Sequence, residues 1–126
     1  MRFARTVFMT AGILGFLILL PMYFTLQWAG QHSPPAITHP EFYFSAVTVG
    51  VVWQFAFLLI ARDPIRYRPL MPIAMLEKFG FVTTLAVLVL SHQIPLHDAL
   101  VSLFDLTLCL FFVAAWLRTP KHIPTP

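Results

Sequence analysis

The stretch Val7–Trp28, VFMTAGILGFLILLPMYFTLQW, contains no charged residue and is long enough to cross a bilayer as a helix. A membrane-spanning helix needs about 20 mostly apolar residues to cross about 30 Å of hydrocarbon. Three further stretches meet this requirement, namely Phe42–Ala61, Leu70–Ser91 and Ala99–Leu117. The sequence therefore predicts an all-α fold, an integral membrane up-down four-helix bundle.

The composition excludes an ordinary soluble domain. Of the 126 residues, 59% are hydrophobic and 10% are charged, whereas soluble domains are about 45–50% apolar and about 25% charged. A chain of this length buries only part of its surface, so it cannot hide this much apolar area in one core. Because the four stretches occupy most of the chain, we predict a single transmembrane domain over residues 1–126, in which 118–126 forms a short tail.

The basic residues all lie on one side of the predicted spans. They precede the first span, lie between the second and third or near the start of the third, or follow the fourth: Arg2, Arg5, Arg62, Arg66, Arg68, Lys78, Arg118 and Lys121. The loops 29–41 and 92–98 contain neither Lys nor Arg. Since Lys and Arg accumulate in cytoplasmic loops, both termini are predicted to be cytoplasmic. The alternative of a cleaved signal peptide fits less well, because its apolar region is typically about 7–15 residues long.

The formal charge of +3 is spread over short segments next to the membrane. This distribution favours contact with membrane lipids and argues against a nucleic-acid partner, because each juxtamembrane cation contributes about 1 kcal/mol toward acidic head groups. We predict that Arg62, Arg66 and Arg68, between the second and third spans, contact anionic lipid. The alternative is that they only set the topology.

Two carboxylates lie inside predicted spans, where ionisable groups are costly and mark functional sites. Glu77 lies about 10 Å from the cytoplasmic end of the third span, and Gln54 reaches a similar depth in the second. A short loop makes these two spans neighbours, so a hydrogen bond between Gln54 and Glu77 is expected. Asp105 lies about 9 Å from the outer end of the fourth span.

Further polar side chains share helix faces with these carboxylates. Ser102 is one turn from Asp105, and Thr84 follows Glu77 at an interval of seven. We expect these faces to point into the bundle and to line a pocket for an amphipathic molecule. The predicted pocket residues are Gln54, Glu77, Thr84, Ser102 and Asp105. In the structural alternative, Glu77 pairs with a loop arginine or with Lys78, and Asp105 bonds to Ser or Thr hydroxyls.

No cofactor and no metal site is predicted. Four histidines lie in the two outward loops and are the residues from which a metal site would have to be built: His32, His39, His92 and His97. Their spacing differs from that of structural zinc sites. The one cysteine, Cys109, lies within the fourth span, where we expect it to serve packing.

The chain resembles small bacterial four-helix inner-membrane proteins of the DoxX-like type, mainly in topology. The local resemblance is carried by Glu41-Phe42-Tyr43, Trp53-Gln54, Ala61-Arg62-Asp63-Pro64, Arg66-Tyr67-Arg68-Pro69, Glu77-Lys78 and Asp105. It implies a multi-pass protein of the bacterial inner membrane, in some cases linked to redox or stress partners. The plan is also similar to the four-helix sterol-isomerase-type membrane domain, by analogy only.

The sequence names no reaction. Our leading hypothesis is an accessory or binding protein with an intramembrane polar pocket for a lipid-like or quinone-like small molecule. One alternative is a membrane enzyme, isomerase-like or redox-linked, that uses Glu77 or Asp105 as acid or base. Another is a structural subunit of a larger membrane complex. The expected protein partner of the bundle is a second copy of the chain, as a homodimer, or another protein of a membrane complex.

Overall fold

The computed structural model describes residues 2–32 and 38–121, and all regular structure within them is helical. The α-helices are α1 (Arg2–Leu19), α2 (Leu26–His32), α3 (Pro40–Arg62), α4 (Met71–Leu90), α5 (Leu96–Ala99) and α6 (Ser102–Arg118), with 3-10 helices at Leu20–Phe24 and Arg68–Leu70. Four continuous helical stretches, each of 23 residues, are long and apolar enough to cross a membrane. The predicted all-helical chain with four long apolar helices is thus confirmed.

Pro21 ends the first α-helix instead of only bending it. The α-helix stops at Leu19, a 3-10 helix covers Leu20–Phe24, and α2 begins at Leu26. Proline has no N–H to donate and its ring clashes with the carbonyl four residues earlier, so the regular α-helix cannot continue through it. By contrast, Pro40 is the first residue of α3, a position where its missing N–H costs nothing.

The helices are arranged as two antiparallel pairs. One pair is α1 with α3 and the other is α4 with α6, and the main contact between the pairs is that of α1 with α6. Contact between α3 and α4 is slight, although a short connection makes them consecutive in the chain. The short connection keeps the end of α3 near the start of α4. Along the rest of their length, the two helices pack mainly against α1 and α6.

The tightly packed core lies at one end of the bundle. Phe8, Phe57 and Phe112 are fully buried there, with ring centroids 4.4 Å apart for Phe8 and Phe112 and 5.0 Å apart for Phe57 and Phe112. Small alanines complete this cluster and allow the backbones to approach: Ala4, Ala11, Ala61, Ala74 and Ala115. The cluster lies at the end that carries the start of α1 and the end of α6.

Toward the opposite end the helices share much less buried surface. No residue of α4 beyond Lys78 is buried, and side chains such as Phe24 and Leu90 are 89% and 79% exposed. Apolar side chains over such an area are unfavourable in water but are the expected surface of a helix in lipid.

Candidate functional site

Lys78 forms the centre of a charged cluster between α4 and α6. Its side chain is 8% exposed, and its Nζ lies 3.1 Å from Asp105 Oδ1 and 3.7 Å from Glu77 Oε2. The ammonium also lies 5.3 Å from the centroid of the Phe57 ring on α3, within the range of a cation–π interaction. One lysine therefore contacts two carboxylates and one aromatic face.

The packing of α4 against α6 positions this cluster. Lys78 lies one turn beyond the buried Ala74, on the α4 face that is turned toward α6. One turn from Asp105, the Cys109 thiol donates to the Met75 carbonyl at 3.7 Å, a second link between the same two helices. The small side chains of Ala74 and Cys109 let the helices come close enough for Lys78 to reach Asp105.

The cluster lies near the middle of the helical stretches. Lys78 is about 15 Å along the helix axis from Arg68 and about 18 Å from Leu90. Asp105 is about 13 Å from Leu96 and about 20 Å from Arg118. The lysine side chain bridges the remaining difference in height, because it extends along the helix surface.

Sequence reasoning counted Lys78 among the topology-setting cations and named it otherwise only as an alternative partner of Glu77, a contact that is present at 3.7 Å. It did not foresee that Asp105 pairs with Lys78 instead of with a Ser or Thr hydroxyl. The structure instead places it with the two carboxylates that the sequence singled out. A usable signal was present, because a lysine next to Glu77 in an apolar helix needs a partner and Asp105 is the one acid in the fourth span.

The cluster contains one acceptor that makes no hydrogen bond. Glu77 Oε2 is buried and has no hydrogen-bond partner among the described residues, although the side chain as a whole is 24% exposed. Burying a carboxylate oxygen without a hydrogen bond is costly, and the Lys78 ammonium at 3.7 Å offsets part of that cost. With two carboxylates for one ammonium, the cluster can accept a further hydrogen bond or a proton at this oxygen.

Gln54 lies away from the cluster, in the interface between α1 and α3. Its side chain is buried, and its Nε2 donates to the Gly50 carbonyl at 2.8 Å. Its Oε1 has no partner among the described residues and lies so close to Gly15 that a Cβ atom there would overlap it. The expected hydrogen bond between Gln54 and Glu77 is therefore not formed, because the Gln54 side chain is turned toward α1.

The two hydroxyl residues of the predicted pocket are also separated. Thr84 is exposed and donates to the Gly80 carbonyl at 2.8 Å, so its face of α4 does not point into the bundle. Ser102 is half-buried at the start of α6 and donates to the Ala99 carbonyl at 2.7 Å. The structure thus brings together Glu77 and Asp105, and ligand binding by the five residues stays a prediction.

Three of the four loop histidines contact a nearby residue, and His92 lies in the turn after α4 with a backbone φ of 60°. His39 Nδ1 lies 3.2 Å from Glu41 Oε1, and His97 Nε2 lies 3.1 Å from Asp98 Oδ1. His32 Nδ1 contacts the Trp28 carbonyl at 2.9 Å. Across residues 2–32 and 38–121, no three His, Cys, Asp or Glu side chains are grouped so that they could hold a metal ion.

The three loop arginines occupy different environments. Arg62 and Arg66 line a surface cavity of about 390 Å³ together with Asp63 and Tyr67. Arg68 instead binds the end of α6, since it donates to the carbonyls of Thr119 (2.9 Å) and Trp116 (3.3 Å).

Its guanidinium carbon also lies 4.9 Å from the Trp116 ring centroid. Arg68 therefore caps a helix C-terminus, where orphan carbonyls and the negative end of the dipole favour a cation.

Comparison of the chain with protein-family models, with curated proteins and with solved structures found no match. The site is therefore interpreted from its own geometry.

Proposed function

We propose that this chain is a multi-pass membrane protein that binds a lipid-like or quinone-like small molecule at the Lys78 cluster. The observation that carries the proposal is the buried Glu77 Oε2, which makes no hydrogen bond within the described residues and has only a 3.7 Å contact with the Lys78 ammonium, whose closer partner is Asp105. In its simplest form the protein is an accessory or binding protein, in which the cluster recognises the polar part of a ligand and does not transform it.

The proposed orientation places both termini in the cytoplasm. With Lys78 assigned to the cluster, seven of the eight Lys and Arg residues remain outside the middle of the helices. Arg2 and Arg5 lie in the first turn of α1, and Arg118 and Lys121 lie at and just beyond the end of α6. The other three lie from the last residue of α3 to the 3-10 helix before α4, namely Arg62, Arg66 and Arg68. The resemblance to DoxX-like proteins leads us to propose the bacterial inner membrane as the location.

The chemistry of the cluster selects a ligand with a hydroxyl donor. A carboxylate oxygen that makes no hydrogen bond of its own can accept one from an O–H group, so a quinol or an apolar alcohol fits better than a quinone or an ester. The apolar body of such a ligand fits the surroundings, because α4 has no buried residue beyond Lys78 and its neighbours expose apolar side chains.

An enzyme remains the second proposal, since the same atom can take part in proton transfer. Glu77 Oε2 lies beside the Lys78 ammonium at 3.7 Å, and a carboxylate next to a cation in an apolar site suits general acid–base chemistry. Conversion of a bound hydroxyl compound by the native protein, lost in Glu77→Gln, would favour this proposal over simple binding.

The test is native mass spectrometry of the detergent-purified protein, with identification of co-purified small molecules and titration with decylubiquinol and decylubiquinone. We expect the native protein to carry a stoichiometric ligand and to bind decylubiquinol more tightly than decylubiquinone. Glu77→Gln should lose the ligand and the preference for the quinol. The matched control is Glu41→Gln, which changes an exposed carboxylate outside the cluster. Equal occupancy in all three forms, or an empty native protein, would overturn the proposal.

A further inference from the structure

A second cavity lies between the start of α1 and the end of α6. It has a volume of about 360 Å³ and is lined by Arg2, Phe3, Ala4, Arg118 and Thr119. Two arginines that are far apart in the chain thus meet at one site, because α1 and α6 pack as antiparallel neighbours. None of the five residues belongs to the Lys78 cluster.

The acidic side chains of the chain are all engaged elsewhere. The chain has five Asp and Glu residues. Their contacts are Glu41 with His39, Asp63 with the Arg66 N–H, Glu77 and Asp105 with Lys78, and Asp98 with His97. Within the described residues, neither Arg2 nor Arg118 therefore pairs with a carboxylate side chain.

The walls of the cavity are held in place. The Arg118 guanidinium carbon lies 4.3 Å from the centroid of the Phe3 ring, and this contact holds the Arg118 side chain against the face of the ring. Thr119 is 3% exposed and donates through Oγ1 to the Ala115 carbonyl at 2.6 Å. The Thr119 carbonyl in turn accepts from Arg68, so the cavity floor is fixed by the same contacts that cap α6.

The local field favours an anion. The first turn of α1 contains no acidic residue, and its free N–H groups add the positive end of a helix dipole. Arg5 and Lys121 are exposed near the same two helix ends and increase the positive charge further. A planar guanidinium matches phosphate oxygens with paired hydrogen bonds.

The position of the cavity along the helix axes indicates that a phosphate bound there belongs to a lipid. The first and last helical stretches are each 23 residues long, which is about 34 Å and exceeds the roughly 30 Å of hydrocarbon. Their ends therefore reach the head-group region. Leu117, next to Arg118, is 68% exposed and offers an apolar surface for an acyl chain.

We propose that the cavity between Arg2 and Arg118 binds the phosphodiester head group of an anionic phospholipid. The inference rests on the membrane location in the proposed function but not on any ligand at the Lys78 cluster. Free inorganic phosphate offers the same kind of oxygen atoms as the head group but has no acyl chains. Competition between phosphate and a phospholipid therefore distinguishes these two ligands.

The experiment is native mass spectrometry of the full chain in neutral detergent, titrated with phosphatidylglycerol. In Arg2→Gln/Arg118→Gln we expect the affinity for the first bound lipid to fall about thirtyfold, because two groups that form charge-assisted hydrogen bonds are removed from one site. The matched control is Arg5→Gln/Lys121→Gln, which removes the same charge from the same end outside the cavity. It should stay within about threefold of the native protein, because diffuse charge is screened.

Three further arms complete the design. Phosphatidylcholine should bind more weakly than phosphatidylglycerol, and millimolar inorganic phosphate should leave the phosphatidylglycerol complex intact. Arg118→Lys should also weaken phosphatidylglycerol binding, because an ammonium cannot supply the paired hydrogen bonds of a guanidinium. If the double variant fails to fold, Arg2→Gln alone tests the site, because Arg2 is exposed and its replacement keeps the contact of Arg118 with the Phe3 ring intact.

An equal fall in both double variants would overturn the proposal, as would an absence of phosphatidylglycerol binding in the native protein. Displacement of the lipid by phosphate would overturn the lipid assignment. A native protein that binds quinol but shows no lipid preference would contradict this inference alone. A chain that does not insert into vesicles would contradict both proposals.

Discussion

Lys78 on α4 and Asp105 on α6 form a 3.1 Å ion pair that links the two helices near the middle of their length. Both side chains are largely removed from solvent, at 8% and 17% exposure. An ion pair in such surroundings is costly to assemble and also costly to break on one side only. The pair therefore fixes the register of α4 against α6 and holds Glu77 beside it.

Removal of the lysine alone is expected to destabilise the protein. Lys78→Met leaves two carboxylates without their cation, which costs about 3 kcal/mol or more for a buried pair. The measurement is unfolding by dodecyl sulfate titration in mixed micelles. Lys78→Met/Asp105→Leu should recover stability relative to Lys78→Met, and a coupling energy near zero in this double-mutant cycle would contradict the ion pair.

Two glycine substitutions test the interface between α1 and α3. In Gly15→Ala the new methyl group overlaps the Gln54 side-chain oxygen, and we expect a loss of about 1–3 kcal/mol from overpacking. Gly80→Ala is the control, because nothing lies within 4 Å of the added Cβ and alanine favours the helix by up to about 1 kcal/mol. Equal thermal stability of the two variants would refute the placement of Gln54.

The aromatic core at the cation-rich end is tested by a pair of adjacent phenylalanines. Phe112 is fully buried against Phe8 and Phe57, whereas Phe111 is 48% exposed. Phe112→Ala leaves a cavity and should cost at least about 1 kcal/mol more than Phe111→Ala. The same unfolding assay measures both, and similar losses would show that this end of the bundle is not packed as described.

Arg68 is expected to act as a helix cap as well as a surface cation. Arg68→Gln removes hydrogen bonds to two carbonyls of the α6 terminus and should lower stability by about 1–3 kcal/mol. Arg66→Gln serves as the control, because the Arg66 side chain lines the open cavity beside Tyr67. If both variants melt at the same temperature, the cap contributes nothing measurable.

Cysteine labelling tests the proposed orientation. In a Cys109→Ala background, a membrane-impermeant maleimide should label Gln93→Cys on intact cells and label Lys121→Cys only after permeabilisation. Gln93 and Lys121 are both exposed and lie at opposite ends of the helical stretches. Labelling in the reverse order would place the termini outside and contradict the orientation inferred from the cations.

Much of the architecture follows from the sequence alone. Runs of apolar residues specify the four long helices. Each apolar side chain has its own free-energy cost of exposure to water, and this cost does not depend on the rest of the fold. Pro40 begins α3 for a similarly local reason, since the first helical position tolerates a proline. The choice of Glu77 and Asp105 as members of one site also came from the sequence.

The tertiary structure decided which side chains meet. Lys78 pairs with Asp105, Gln54 turns toward Gly15 instead of Glu77, and Thr84 remains on an exposed face. These outcomes depend on the rotation of each helix about its axis, and apolar runs leave that rotation free. Within a membrane the rotation is set by close packing and polar contacts between helices, which only the assembled bundle determines.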